Sequence, residues 1–208
     1  MDFQQIAIYA PSFLFALTIH EYSHGYVANR LGDPTASLMG RLTLNPLKHL
    51  DPMGVICFLV MKIGWAKPIP VDPRYFKNPK MDMLWVALAG PGANFLLALA
   101  SGMALKLILV FHALIPVYVA VPFEKVFDAS IWVNVMLAIF NLIPIPPLDG
   151  SRIFQAVLPH NLAVSYARFE SYGLIVLLFL FYFTGVFKKV FLPVIYFGYI
   201  LVRVLFGT

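Results

Sequence analysis

Charge is scarce in this chain. Only 12% of its 208 residues are Asp, Glu, Lys or Arg, whereas 61% are hydrophobic and 15% aromatic. A soluble domain carries about a quarter charged residues, so this composition excludes an ordinary soluble domain and implies an integral membrane protein with a mean hydropathy of +0.82. Cysteine is almost missing: Cys57 stands alone, which excludes an internal disulfide and any multi-thiolate metal site. Basic clusters clear of the apolar segments are also lacking, so the net charge of +5 fits loops facing an anionic leaflet and not nucleic acid. The opening has no basic start, and its apolar core runs straight into ionisable residues, so it does not read as a signal peptide. Repeats, low-complexity tracts and flexible linkers are absent from the sequence.

Long apolar runs are what the chain does have. They extend from about Ile6 to Leu31, from Met83 to Ile115 and from about Ile131, with two more beginning at Tyr172 and Val190. A span needs about 20 residues, so these predict five crossings. The run "MGVICFLVMKIG" from Met53 is too short to cross and is expected to be re-entrant or packed inside the protein. Between Gly32 and Met81, "ASLMGRLTLNP" partly alternates and "KPIPVDPRYF" is too rich in proline for a helix, so both predict short extended pieces or hairpins. Irregular backbone at membrane depth must be buried in protein or line a wet cavity. The expected fold is therefore an all-α polytopic membrane protein with about five to six transmembrane helices. Re-entrant or β-like insertions lie between its first two long spans. It forms one domain over 1–208, with a catalytic core at 6–157 and accessory helices at 158–208.

Basic residues cluster between Arg30 and Lys80, whereas the loop expected from Phe111 to Asp128 holds only Lys125. The positive-inside rule then puts the first group in the cytoplasm, the N-terminus outside and the C-terminus inside. Lys188 and Lys189 fall on the outer side in that arrangement.

Within the first run, "TIHEYSHGYVANRLGD" places His20, Glu21 and His24 where charge is costly. Two histidines four apart lie one turn above each other on a helix, and with the intervening glutamate they form HExxH, the pattern of zinc hydrolases with two ligands and a general base. A chance match or a satisfied polar cluster is the bland alternative. Membrane depth disfavours it, because ionisable residues there are usually functional. A third ligand is needed. His49 reads as a loop residue with a solvated or capping role, His112 belongs near the opposite face, and His160 follows Pro159 in a loop. Asp33, Asp51, Asp72, Asp82, Glu124, Asp128 and Glu170 read as interfacial charges in loops or at span ends. Asp149 differs. It follows an apolar run in "NLIPIPPLDG", where Pro144, Pro146 and Pro147 break the helix. The expected ligand set is His20, His24 and Asp149.

HExxH in an N-terminal membrane helix followed by NxxPxPxLDG resembles the site-2 protease family of intramembrane metalloproteases. The second motif matches at Asn141, Pro144, Pro146, Leu148, Asp149 and Gly150, and "AGPGANF" is similar to the family's GPxxN element through Gly90, Pro91 and Asn94. "GRLTLNPLKHLDPMG" and "GWAKPIPVDP" are similar to its connecting segments. The resemblance covers most of Ile6 to Val157. It implies one zinc ion per chain, held by His20, His24 and Asp149, with Glu21 as catalytic base. It further implies that Asn141 contacts extended substrate backbone and that Asn94 orients substrate near the zinc. Interhelical hydrogen bonding is the alternative for both asparagines. The implied partners are transmembrane protein substrates and the lipid bilayer, in a prokaryotic cell membrane with the site opening to the cytoplasm. No segment here is long enough for the PDZ domains or CBS pair that many relatives carry, so a core-only member is expected.

Two readings from other classes compete. A membrane metal-ion transporter explains buried ligands but gives Glu21 no task and predicts more ligands along a path. A non-proteolytic scaffold leaves the base and full ligand set without a purpose.

Overall fold

The computed structural model describes residues 3–54 and 66–208. The short run from Met53, expected to be re-entrant, lies mostly outside the described residues. Helices α1 (Phe3–Arg30), α3 (Pro79–Val110) and α4 (Val117–Asn141) form the centre. Around them are a short α2 (Thr35–Leu38), α5 (Asp149–Val157), α6 (His160–Ala167), α7 (Gly173–Phe183) and α8 (Leu192–Phe206).

Their packing follows from side-chain size. On α1 the buried positions Ser12, Ala16, His20, His24 and Ala28 recur every four residues and so share one face. On α3, Gly90 and Asn94 meet α1, and Ala87, Ala98, Ser101 and Gly102 are further small buried residues. Small residues let helix backbones approach closely in a membrane, where apolar burial gives no preference for one helix over lipid. Helix α4 closes the trio and carries α8 on its other side, through a core of Ala98, Leu105, Ile131, Val135, Ile195 and Val202. A methyl group on Gly102 would meet the Phe206 ring and Val202, so glycine sets the α3–α8 separation.

Three helical segments among the described residues are long and apolar enough to cross a membrane: Pro79–Val110, Asn161–Phe183 and Phe187–Phe206. Helix α1 exceeds them in polarity because its centre carries the HExxH residues, and α4 because Glu124, Lys125 and Asp128 lie inside it. Much of the loop expected from Phe111 to Asp128 is thus helix. Its charges are accommodated by pairing: Glu124 lies 3.5 Å from His112, and Asp128 accepts from Tyr199 at 2.6 Å and lies 3.4 Å from Arg203.

Among the described residues the stretch between α1 and α3 contains no strand. One isolated antiparallel bridge, Leu50 with Ala66, is all the β pairing there. Proline explains the shortage, since Pro68, Pro70 and Pro73 have no N–H for a ladder. Residues 66–72 instead run as an extended strap held by other donors and acceptors. Lys67 N donates to His49 O at 2.9 Å, and the Arg41 guanidinium donates to Lys67 O and Pro68 O at 2.9 and 3.3 Å. Asp72 N donates to Asp33 Oδ2 at 2.7 Å.

Candidate metal centre

Helix α1 carries His20, Glu21 and His24 into the interior, all less than 10% exposed. Asn141 ends α4, after which Leu142, Ile143, Ile145 and Leu148 turn through short backbone hydrogen bonds. The tract returns at Asp149, the first residue of α5. Gly150 makes the return possible, because a Cβ there would collide with the carbonyls of Leu142 and Ile143. Ile143 and Leu148 anchor the turn against Leu177.

The reversal brings Asp149 onto the two histidines. Its Oδ2 lies 3.1 Å from His20 Nε2 and 3.2 Å from His24 Nε2, and the two Nε2 atoms are 3.0 Å apart. Among the described residues this is the one group of three such side chains able to share an ion.

The second ring nitrogens decide what the triangle can do. His24 Nδ1 stands 2.7 Å from the carbonyl oxygen of Val86, which can only accept, so Nδ1 holds the proton. His20 Nδ1 stands 2.6 Å from Asn94 Oδ1 and is a donor as well. A neutral imidazole protonated at Nδ1 presents a lone pair at Nε2. With both rings neutral, two lone pairs and a carboxylate oxygen converge at hydrogen-bond distance, and Asp149 Oδ2 is buried without a hydrogen-bond partner. A cation resolves that crowding. Ligand atoms about 2.0–2.2 Å from a tetrahedral zinc stand roughly 3.3–3.6 Å apart, slightly wider than the separations here. The Nδ1 partners supply the outer hydrogen bonds that metal-bound histidines usually have. Donor set and geometry therefore fit zinc.

Glu21 points to the neighbouring face. Its Oε2 accepts from Ile69 N at 2.9 Å, so the strap crosses the site at the carboxylate. Ile69 is buried and also fills the space beside Gly25.

Asn94 is fully buried. Besides meeting His20, its Nδ2 donates to Ala16 O at 3.1 Å and to Asn134 Oδ1 at 2.8 Å. Asn141 is part-buried, and its Nδ2 bonds back to Leu137 O at 3.0 Å. His49 and His112 stay apart from the triangle. Of the solvated or capping role expected of His49, burial excludes the solvated one: the residue is fully buried at the C-cap of Pro46–Lys48, with Nε2 2.8 Å from Thr43 O. His112 pairs with Glu124 at the far end of α3.

Three contributors escaped the sequence reading. Asp33, read as an interfacial charge, is fully buried and accepts from Thr35 N, Thr35 Oγ1 and Asp72 N. Its signal was an Asp-Pro-Thr turn, which favours side-chain capping. Asn134 carried a fainter one, an amide inside an apolar run seven residues before Asn141. Arg41 gave none.

A His–His–Asp triangle with both histidines buried, beside a glutamate and inside apolar helices, defines a membrane-embedded zinc hydrolase. Residues 108–184 match the model of Peptidase family M50. The chain is 43% identical over 168 residues to YwhC of Bacillus subtilis (strain 168), provisionally named a zinc metalloprotease, covering 81% of this chain and 77% of that one. It is 32% identical over 156 residues to Rip2 of Mycolicibacterium smegmatis and 29% over 175 residues to Rip2 of Mycobacterium tuberculosis (strain H37Rv), provisionally named in the same way. Those alignments cover 71% and 81% of this chain but 54% and 64% of the relatives. No solved structure matches the chain. The chain belongs to Peptidase family M50, the site-2 proteases, and is a zinc-dependent intramembrane metalloprotease.

Proposed function

We propose that the chain hydrolyses peptide bonds of transmembrane protein substrates, with His20, His24 and Asp149 holding one zinc ion and Glu21 acting as base. The observation that carries this reading is the convergence of Nε2, Nε2 and Oδ2 within 3.2 Å of one another, with each Nδ1 facing an acceptor, beside a buried carboxylate. Bound zinc supplies Lewis acidity, polarising the scissile carbonyl and acidifying a water. Glu21 takes a proton from the attacking water and returns it to the leaving amine, which keeps charge from accumulating in a dry site. The Ile69 N–H orients the Glu21 carboxylate by occupying one of its oxygens.

Asn141 sits at the end of α4, one helical break before Asp149, and its amide oxygen is suited to accept from the N–H of an extended substrate. Asn94, with its amide directed at His20, serves the zinc site more directly than it serves substrate. A substrate helix must unwind to offer its carbonyl, because helical backbone is already hydrogen-bonded internally. Helices α1 and α4 join the three apolar segments as spans, giving five crossings. His20 lies 10 residues from the end of α1 at Arg30, about 15 Å, which is mid-depth in a core of about 30 Å. The cluster of basic residues between Arg30 and Lys80 supports a cytoplasmic opening of the site.

The test is zinc content together with cleavage of a transmembrane substrate in detergent. Wild type should hold about one zinc and cut, Glu21→Gln should keep the metal and be inactive, and Asp149→Ala should lose both. Cleavage by Glu21→Gln would refute the assignment of the base.

A further inference from the structure

Asn134 lies on α4, fully buried, and belongs to none of the three motifs that carry the resemblance. Its two amide ends are fixed by different neighbours. Nδ2 is 2.9 Å from the backbone carbonyl of Ser130, which can only accept. Oδ1 is 2.8 Å from Asn94 Nδ2 and so is the acceptor there. Asn94 Nδ2 spends its other hydrogen on Ala16 O. That leaves Asn94 Oδ1 facing His20 Nδ1, which must donate to it. The direction of every hydrogen bond in the row is therefore set by two backbone carbonyls, one on α1 and one on α4.

Reversing any amide would break the row. If the Asn94 side chain turned over, its NH2 would face His20 Nδ1, the ring proton would move to Nε2, and the lone pair would point away from Asp149. Asn134 Oδ1 opposes that turn together with Ala16 O, because both acceptors would then meet the Asn94 oxygen. The Ser130 hydroxyl extends the row, 3.2 Å from Asn134 Nδ2 and 2.8 Å from Ser101 Oγ, and so links α4 to α3.

We propose that Asn134 is a positioning residue for the zinc site: acting through Asn94, it fixes which nitrogen of His20 faces the metal. The proposal rests on the assignment of His20 as a ligand. Buried amides with every hydrogen bond made hold one arrangement, and an outer-row partner of a metal-bound histidine typically contributes 10–100-fold in metal affinity.

Two readouts on the full-length chain in detergent test it. The first is the ring-nitrogen NMR signals of His20 in metal-free protein, at a pH that leaves the ring neutral. The second is zinc affinity by competition with a chelator. Wild type should show the Nδ1–H form alone, and Asn134→Leu should show a mixture with Nε2–H and bind zinc at least tenfold more weakly. A loss of zinc affinity in Asn134→Leu with the His20 form unaltered would mean that Asn134 only fills space, which overturns the proposal, as would wild-type zinc affinity in that variant. Asn134→Ala carries the same comparison if the leucine variant does not fold. Zinc binding by His20→Ala as tight as wild type would overturn the ligand assignment instead, while the His20 signals still report on the row.

Discussion

Gly90 lies against the rings of His20 and His24, so close that a Cβ there would overlap His24 Nε2 and stand 2.6 Å from Cε1 of each ring. The glycine of the α3 motif is thus the floor of the metal site. Gly90→Ala adds one methyl group within α3, where alanine suits the helix better than glycine. Folding should therefore be largely retained while the imidazoles are displaced. Zinc affinity should fall on the order of 10- to 100-fold, the scale of a lost outer partner, and cleavage with it. Chelator competition on the purified variant measures the first and substrate cleavage the second.

Gly25 has a corresponding relation to the strap. A Cβ at Gly25 would strike the Ile69 side chain, whose backbone N–H meets Glu21. Gly25→Val should lift residues 66–72 away from α1 and misplace the base without touching His20 or His24. The expected result is normal zinc content with cleavage reduced at least tenfold, on the order of the 10²–10⁴ that a positioned base contributes.

Asp33 ties the strap down at its other end. Asp33→Ala leaves the Asp72 N–H without its acceptor and removes the cap on Thr35. An orphaned buried donor costs about 1–3 kcal/mol. Thermal unfolding should occur several degrees lower, and proteolytic nicking should appear first within residues 66–78.

Removing zinc should also destabilise the chain. Two neutral imidazoles and a carboxylate held within 3.2 Å repel or must take up protons once the ion is gone. A ligand present at 100 times its dissociation constant adds about 2.7 kcal/mol to the folded state. The melting temperature in chelator should therefore fall and should recover on adding zinc back. The shift should be absent in Asp149→Ala.

Much was legible in the sequence. Scarce charge and long apolar runs dictated membrane helices, because a bilayer leaves a backbone few alternatives. HExxH placed two histidines and a glutamate together on one helix from spacing alone, and the three prolines before Asp149 marked where a helix must break and turn. Local chemistry sufficed at each of these points.

Tertiary structure decided the rest, because the remaining relationships join residues far apart in the chain. Only folding brings Oδ2 of Asp149 to 3.1 Å from His20 Nε2, fits Gly90 under both rings, and lays the Ile69 N–H on Glu21. It also redirected residues whose local surroundings misled. Asp33 and His49 look like loop polar groups, yet both are fully buried: Asp33 accepts the Asp72 N–H that no ladder partner takes, and His49 Nε2 meets the Thr43 carbonyl. Asn94 and Asn134 were the hardest to place. An amide inside an apolar helix announces that it must find a partner, but which partner and in which direction depends on carbonyls of other helices. Spacing along one chain carries no record of that.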